Sequence, residues 1–267
     1  KQVEAFLLFI ASISAVIIYL SRIGLDNDVM IVLKSVSLSY LIILFPNFFF
    51  KYLNKHKVKI FLSQPIVSFL VILLLIFSGF VKNIIGFDLS YIYFIFGFYL
   101  FLSFLFSNLL KLKLTKQNWV FLIITLIFSF FITAAYYSNH YTHPLMLEKI
   151  INGSWAHRDI LFHSSISGMF KTYFFRGTGL DGFVPHYYHS LSHYVFGLLS
   201  ELLNINTLTF YSIVFPIIVT PMFFMFFLFA MLELSKFFAK INNFKSTNAN
   251  NIYLWILLYI FFALPIE

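Results

Sequence analysis

Long apolar runs alternate along the chain with short basic or acidic connections. A bilayer core of about 30 Å is crossed by about 20 helical residues. By that rule seven spans are read, at roughly 4–21, 30–50, 61–81, 90–110, 118–138, 207–233 and 251–267. Pro46 falls inside the second, and Pro216 and Pro221 inside the sixth. Proline is tolerated in membrane helices where neighbours satisfy the freed carbonyl, and it usually kinks them. The predicted fold class is all-α: a polytopic integral membrane helical bundle of about seven spans, with amphipathic juxtamembrane helices in a long extracytoplasmic loop. Three regions follow: 1–138 with five spans, 139–206 as the outer loop, and 207–267 with two more spans.

Composition supports the membrane reading. Of 267 residues, 61% are hydrophobic, 22% aromatic and 10% charged. Soluble domains carry roughly 25% charged residues. The mean hydropathy is +0.90. These values exclude a soluble enzyme, a nucleic-acid-binding domain and a disordered chain. Cysteine is absent, which excludes disulfides, thiolate zinc sites and cysteine nucleophiles. A chain rich in Lys, Ile, Phe and Asn, with Arg only at 22, 158 and 176, suggests an AT-rich bacterial genome. The chain begins at Lys1 and ends at Glu267, barely beyond the last span, so a fragment of a longer polytopic protein is expected.

The net charge of +8 is read first as topology. Lys51, Lys55, Lys57 and Lys59 form one basic loop, Lys111, Lys113 and Lys116 a second, and Lys236, Lys240 and Lys245 a third. With seven spans all three fall on one side. Asp26, Asp28, Asp88, Glu148, Asp159, Asp181 and Glu201 fall on the other. The positive-inside rule makes the lysine side cytoplasmic. The N-terminus is then cytoplasmic, the loop 139–206 faces outward, and the expected location is the bacterial inner membrane. The stretch Tyr194–Leu203 is apolar enough to compete as a span. It is short and preceded by His186, His189 and His193, so an amphipathic helix at the outer interface fits the charge bias better.

The outer loop is where chemistry concentrates. Seven of the eight histidines lie between His140 and His193. A helix starting near Asp159, an acceptor suited to the free amides there, places Asp159, His163, Ser167 and Lys171 on one face at four-residue spacing. Phe162, Ile166, Met169, Phe170 and Tyr173 form the other face. An acid and an imidazole one turn apart can share a proton or a metal ion. The plainer reading is a water-facing stripe on a juxtamembrane helix. A second helix, about 188–204, repeats the design with His189, His193, Gly197 and Glu201 on one face. Two histidines at i, i+4 have metal-ligand spacing, but no Glu follows the first, so the zinc-protease pattern is missing. The plainer reading here is a polar interface beside Tyr187, Tyr188 and Tyr194. Between the helices, Gly177, Gly179 and Gly182 surround Asp181. Lys171 and Arg176 are suited to phosphate, and the carboxylates to a proton or a divalent cation.

This arrangement resembles the GT-C superfamily of polytopic membrane glycosyltransferases, which includes relatives of oligosaccharyltransferase and the mannosyl- and arabinosyltransferases. The resemblance rests on Asp159-Ile-Leu-Phe-His163, on Tyr187-Tyr-His189-Ser-Leu-Ser-His193 and on the span pattern, and covers roughly 150–205. It departs from well-known members in two ways. The acidic loop follows the fifth span instead of the first, and His157-Arg158-Asp159 holds one acid instead of two. The resemblance implies a polyprenyl-phosphate sugar donor and inverting transfer at the extracytoplasmic face. It implies Asp159 as base or metal ligand, with His163 and Asp181 as further catalytic or metal candidates. His157, Lys171, Arg176, Tyr188, His189 and His193 would bind substrate. A divalent cation, Mg or Mn, is the implied cofactor. The expected partners are the lipid bilayer and the lipid-linked donor, with no nucleic acid.

Two other function classes fit less well. A non-enzymatic transporter of lipid-linked saccharide, or a polysaccharide polymerase or ligase component, would place ionisable groups near the midplane of its spans. Here Glu4 and Glu233 lie near span ends. A zinc hydrolase would need three ligands converging at about 2.0–2.2 Å from one metal.

Overall fold

The computed structural model describes residues 29–56, 64–109, 119–120, 123, 127, 158–179, 185, 190–219 and 222; the side chains of residues 64, 107–109, 158 and 159 are outside that description. The chain forms two compact units, one of which comprises Ile23–Phe106 and His140–Val219. The helices considered below belong to that unit, the third of them as far as Phe106. They are α1 (Val29–Lys55), α2 (Gln64–Ile85), α3 (Ser90–Leu109), α4 (Arg158–Tyr173), α5 (Leu191–Leu203) and α6 (Thr207–Val219). No strand occurs among the described residues.

Helices α1 to α3 fall on the second, third and fourth expected spans. Among the described residues, Val29–Lys55 and Pro65–Ile85 are long and apolar enough to cross a membrane. A third candidate is the pair α5–α6, if a bend of 107° counts as one span; Ser90–Phe106 is a shorter apolar helix. The first and seventh expected spans, and most of the fifth, lie outside the described residues, as does the sixth beyond α6 apart from Met222.

Apolar side chains point outward and small polar ones inward, which suits a lipid bilayer. On α2, Phe69, Leu70, Leu73 and Phe77 are exposed, while Ser68 and Ser78 are buried. The buried serines take up backbone carbonyls. Pro46 has no N–H to give to Ile42 O, four residues earlier. Ser68 of α2 donates to that carbonyl at 2.9 Å. A neighbouring helix thus supplies the bond that proline removes, as membrane helices require.

Small residues also let backbones approach. A Cβ on Gly79 of α2 would lie 2.2 Å from Leu198 O of α5, and one on Gly97 of α3 would lie 2.2 Å from Ser37 O of α1. Without a hydrophobic driving force between helices in lipid, such close van der Waals contact carries much of their association.

The turn from α5 to α6 is written in the sequence Leu203-Asn-Ile-Asn206. Asn204 adopts the left-handed conformation, and its N–H reaches the carbonyls of Glu201 and Ser200. Asparagine is one of the few residues that accepts this geometry at a helix end. Asn206 then caps α6, its side chain accepting from Thr209 N at 2.7 Å. Lys171 donates to Ile205 O in the turn, and Lys82 to Leu202 O in the last turn of α5. Cations there complement the negative end of the helix dipole.

Candidate functional site

Helices α4 and α5 run parallel, and their polar stripes face each other. His163 meets His193, with Nδ1 to Nε2 at 3.3 Å. One turn on, a Cβ on Gly197 would sit 2.8 Å from Ser167 O. One turn further, Lys171 Nζ lies 3.0 Å from Glu201 Oε2. Each pair is separated by the same 30 residues. Two four-residue periods therefore lock rung by rung, with Gly197 giving the middle rung room to close.

The middle of these stripes is interior. Ser167 is 0% exposed and His193 3%, so at these two positions the stripes face protein and not water, whereas His163, Lys171 and Glu201 remain half-buried. Leu198 and Leu202 on the other side of α5 are buried as well. The physical reason is that α5 is covered on both sides, by α2 at Gly79 and by α4 at Ser167.

A third helix completes the site. Tyr211 of α6 is 8% exposed. Its hydroxyl lies 2.9 Å from His193 Nδ1 and 3.0 Å from Ser167 Oγ. Thr207 ties α6 to α4 by donating to Ser164 O at 2.8 Å. Tyr211 sits in a π-helical turn, Phe210–Val214, closed by the Phe215 N–H bonding to Phe210 O. Pro216 follows directly; its missing N–H and bulky ring oppose a regular turn there. Single π turns of this kind re-aim side chains and recur at functional sites. Phe196 packs edge-on to the Tyr211 ring at 5.2 Å between centroids and so helps to hold it.

The result is a continuous chain of four polar groups, His163–His193–Tyr211–Ser167, linking three helices. Every member can both donate and accept a hydrogen bond. The chain starts at half-buried His163 and ends in the interior. Lys171, expected to meet a substrate phosphate, instead faces Glu201 and Ile205 O within the bundle. Its own carbonyl accepts from Asn83 Nδ2 of α2 at 2.8 Å.

A second charge cluster closes the α2–α3 connection. Lys82 is 8% exposed and lies 2.8 Å from Asp88 Oδ2. Burial of Asp88 opposes its charge, but hydrogen bonds from Lys82 and Ser90 outweigh that and hold its carboxyl down at about 2.

Of the residues expected from sequence, the structure joins His163 to His193 and seats Lys171 two turns along. Arg176 follows α4 and is half-buried. Asp159 is in the first turn of α4, one turn before His163, with its side chain outside the description. His157, Asp181, Tyr188 and His189 lie outside the described residues. Among the described residues no three His, Asp or Glu converge as a metal-ligand set; the metal candidates Asp159 and Asp181 are not among the described side chains. Sequence reasoning missed Tyr211, one aromatic in an apolar run. Its only local signal was Pro216 five positions later. No protein-family model, curated protein or solved structure matches this chain.

Proposed function

We propose that the protein is a membrane glycosyltransferase of the GT-C type. It would transfer a sugar from a polyprenyl-phosphate donor to an acceptor hydroxyl at the extracytoplasmic face of the bacterial inner membrane. The observation that supports this reading most is that Asp159 precedes by one helical turn His163, the first member of a hydrogen-bond chain that runs into the bundle. A catalytic base needs a neighbour that fixes its orientation. In the proposed step the acceptor hydroxyl gives its proton to the Asp159 carboxylate. Its oxygen bonds to the sugar's anomeric carbon as the bond from that carbon to the phosphate oxygen breaks. The configuration inverts, and polyprenyl phosphate leaves with the electron pair. His163 orients Asp159 or meets the phosphate. A divalent cation, Mg or Mn, held through Asp159 and Asp181 would supply charge neutralisation of that phosphate.

A second reading, a carrier of the same lipid-linked saccharide, gains from one observation. Hydrogen-bonded ionisable groups lie in the interior of an apolar bundle, where transporters place their relays. One experiment separates the two. Purified protein in lipid nanodiscs is given a panel of radiolabelled polyprenyl-phosphate sugars with acceptor glycans. Transfer is expected with release of free polyprenyl phosphate, and Asp159→Asn is expected to abolish it while the protein remains folded. Full activity in Asp159→Asn sinks the base assignment. Movement of intact donor across a liposome membrane without cleavage favours the carrier.

A further inference from the structure

Helices α1, α2 and α3 part around an apolar cleft of about 320 Å³. Two ties hold α2 and α3 together at their connected ends. Ser78 Oγ lies 2.6 Å from Tyr93 Oη, and Lys82 pairs with Asp88. The cleft begins beneath that bridge, at Leu75 and Tyr93, and runs along α2 as far as Val67. Leu41, Phe45 and Phe49 of α1 form its floor. The Tyr93 hydroxyl is engaged by Ser78, and the other lining side chains are hydrocarbon. An apolar cavity of about 150 Å³ stays dry and takes up benzene; this cleft has roughly twice that volume. Its lining residues Leu70, Leu74 and Ile92 are exposed, so it opens sideways to the surroundings of the bundle. In a bilayer those surroundings are lipid chains.

Length and charge say which lipid. From Val67 to Leu75, α2 rises about 12 Å at about 1.5 Å per residue. That is close to one leaflet of a core about 30 Å thick. It is the half of α2 next to the basic connection that carries Lys51, Lys55, Lys57 and Lys59. The floor stripe Leu41, Phe45, Phe49 continues along α1 to Tyr52 and His56, at helical spacings of three and four. The Tyr52 and His56 rings lie 4.5 Å apart, and both residues are exposed. Tyrosine at a span end marks the membrane–water interface. Lys51 and Lys55 beside it are exposed too, and neither is paired with a carboxylate among the described residues. Hydrocarbon, aromatic ring and positive charge follow one another in the order that an anionic phospholipid requires. Lysine clusters directly beside a membrane helix attract such headgroups. We propose that the cleft binds one anionic phospholipid of the leaflet on the lysine side. One acyl chain fills the cleft, giving Phe45 and Leu74 dispersion contacts that an empty groove forfeits, and the headgroup phosphate meets Lys51 and Lys55. The site is separate from the polar chain of α4, α5 and α6, and it stands whether or not the protein is a transferase.

The test counts retained lipids. The whole protein is placed in nanodiscs of equal parts phosphatidylglycerol and phosphatidylcholine with identical chains, with polyprenyl phosphate added. Native mass spectrometry then reads which lipids stay bound after release. One phosphatidylglycerol per protein is expected, preferred over phosphatidylcholine by roughly twentyfold, about fivefold for each of two lysines. The double variant Lys51→Gln, Lys55→Gln is expected to lose that preference; both positions are exposed, so the fold is retained. Leu74→Trp places an indole in the cleft from its open side and is expected to lower retention of both phospholipids. If Leu74→Trp does not fold, Ile92→Trp blocks the same opening from α3 and is read in the same way. Equal retention of the two phospholipids by the native protein, or an unchanged preference in the lysine variant, overturns the proposal. So does unchanged retention in a folded tryptophan variant. Polyprenyl phosphate held in place of phosphatidylglycerol, or a protein dimer that Leu74→Trp dissociates, gives the cleft another occupant and overturns it as well. No sugar transfer enters the measurement, so a failed transferase assay and a failed lipid assignment are separate results.

Discussion

Gly79→Ala tests the packing that brings the two polar stripes together. The new Cβ would lie 2.2 Å from Leu198 O and 2.9 Å from Leu198 C. Comfortable contact between a methyl carbon and a carbonyl oxygen needs about 3.4 Å, so α5 must retreat by roughly 1 Å. The obstacle is helix backbone, which cannot rotate aside. Retreat is also blocked, because Gly197 on the other side of α5 already lies against Ser167 O of α4. Overpacking costs about 1–3 kcal/mol, and this site belongs at the upper end. For a chain of this size that corresponds to a melting-temperature loss of roughly 6–10 °C. The assay is a thermal melt in detergent or nanodiscs, followed by intrinsic tryptophan fluorescence. Gly86→Ala is the control. Nothing lies within 4 Å of its Cβ, and its cost comes only from φ of +77°, about 1 kcal/mol. If Gly79→Ala melts no lower than Gly86→Ala, the close α2–α5 contact is refuted, and with it the argument that this contact helps to hold His193 against His163.

Two further substitutions probe polar groups in the bundle. Asp88→Asn leaves buried Lys82 without its carboxylate; a loss of about 2 kcal/mol is expected, between the values for exposed and fully buried pairs. Because the Asp88 carboxyl is lowered from 3.8 to about 2, its contribution is complete above the unfolded value and is lost as pH falls through the folded one. Stability curves of native protein and Asp88→Asn should therefore converge between about pH 4 and pH 2, and parallel curves down to pH 2 would rule out the linkage. Ser68→Ala strips the donor from Ile42 O and should cost about 1 kcal/mol. In a Pro46→Ala background the helix can supply its own donor, so the same serine change should cost measurably less; equal cost in both backgrounds would refute the coupling.

Much of this protein was legible from its residues one stretch at a time. Apolar runs of sufficient length marked α1, α2 and α3 within a few residues, because membrane insertion is decided by local hydropathy and length. Four-residue periodicity marked α4 and α5 and gave the membership of their polar faces. The turn between α5 and α6 is equally local, made by the backbone of Asn204 and the side chain of Asn206, but neither residue was singled out from the sequence. Periodicity fixes which residues share a face, but not what that face meets. Where His163 and Lys171 point depends on α5 lying parallel to α4 in a 30-residue register. That register turns Ser167 and His193, which read as surface, into interior residues. Tyr211 enters the site through a third helix and an irregular turn beside Pro216, and Ser68 finds Ile42 O across a helix interface. These are contacts between residues far apart in the chain. Only close packing of whole helices, through glycines that let their backbones touch, could decide them.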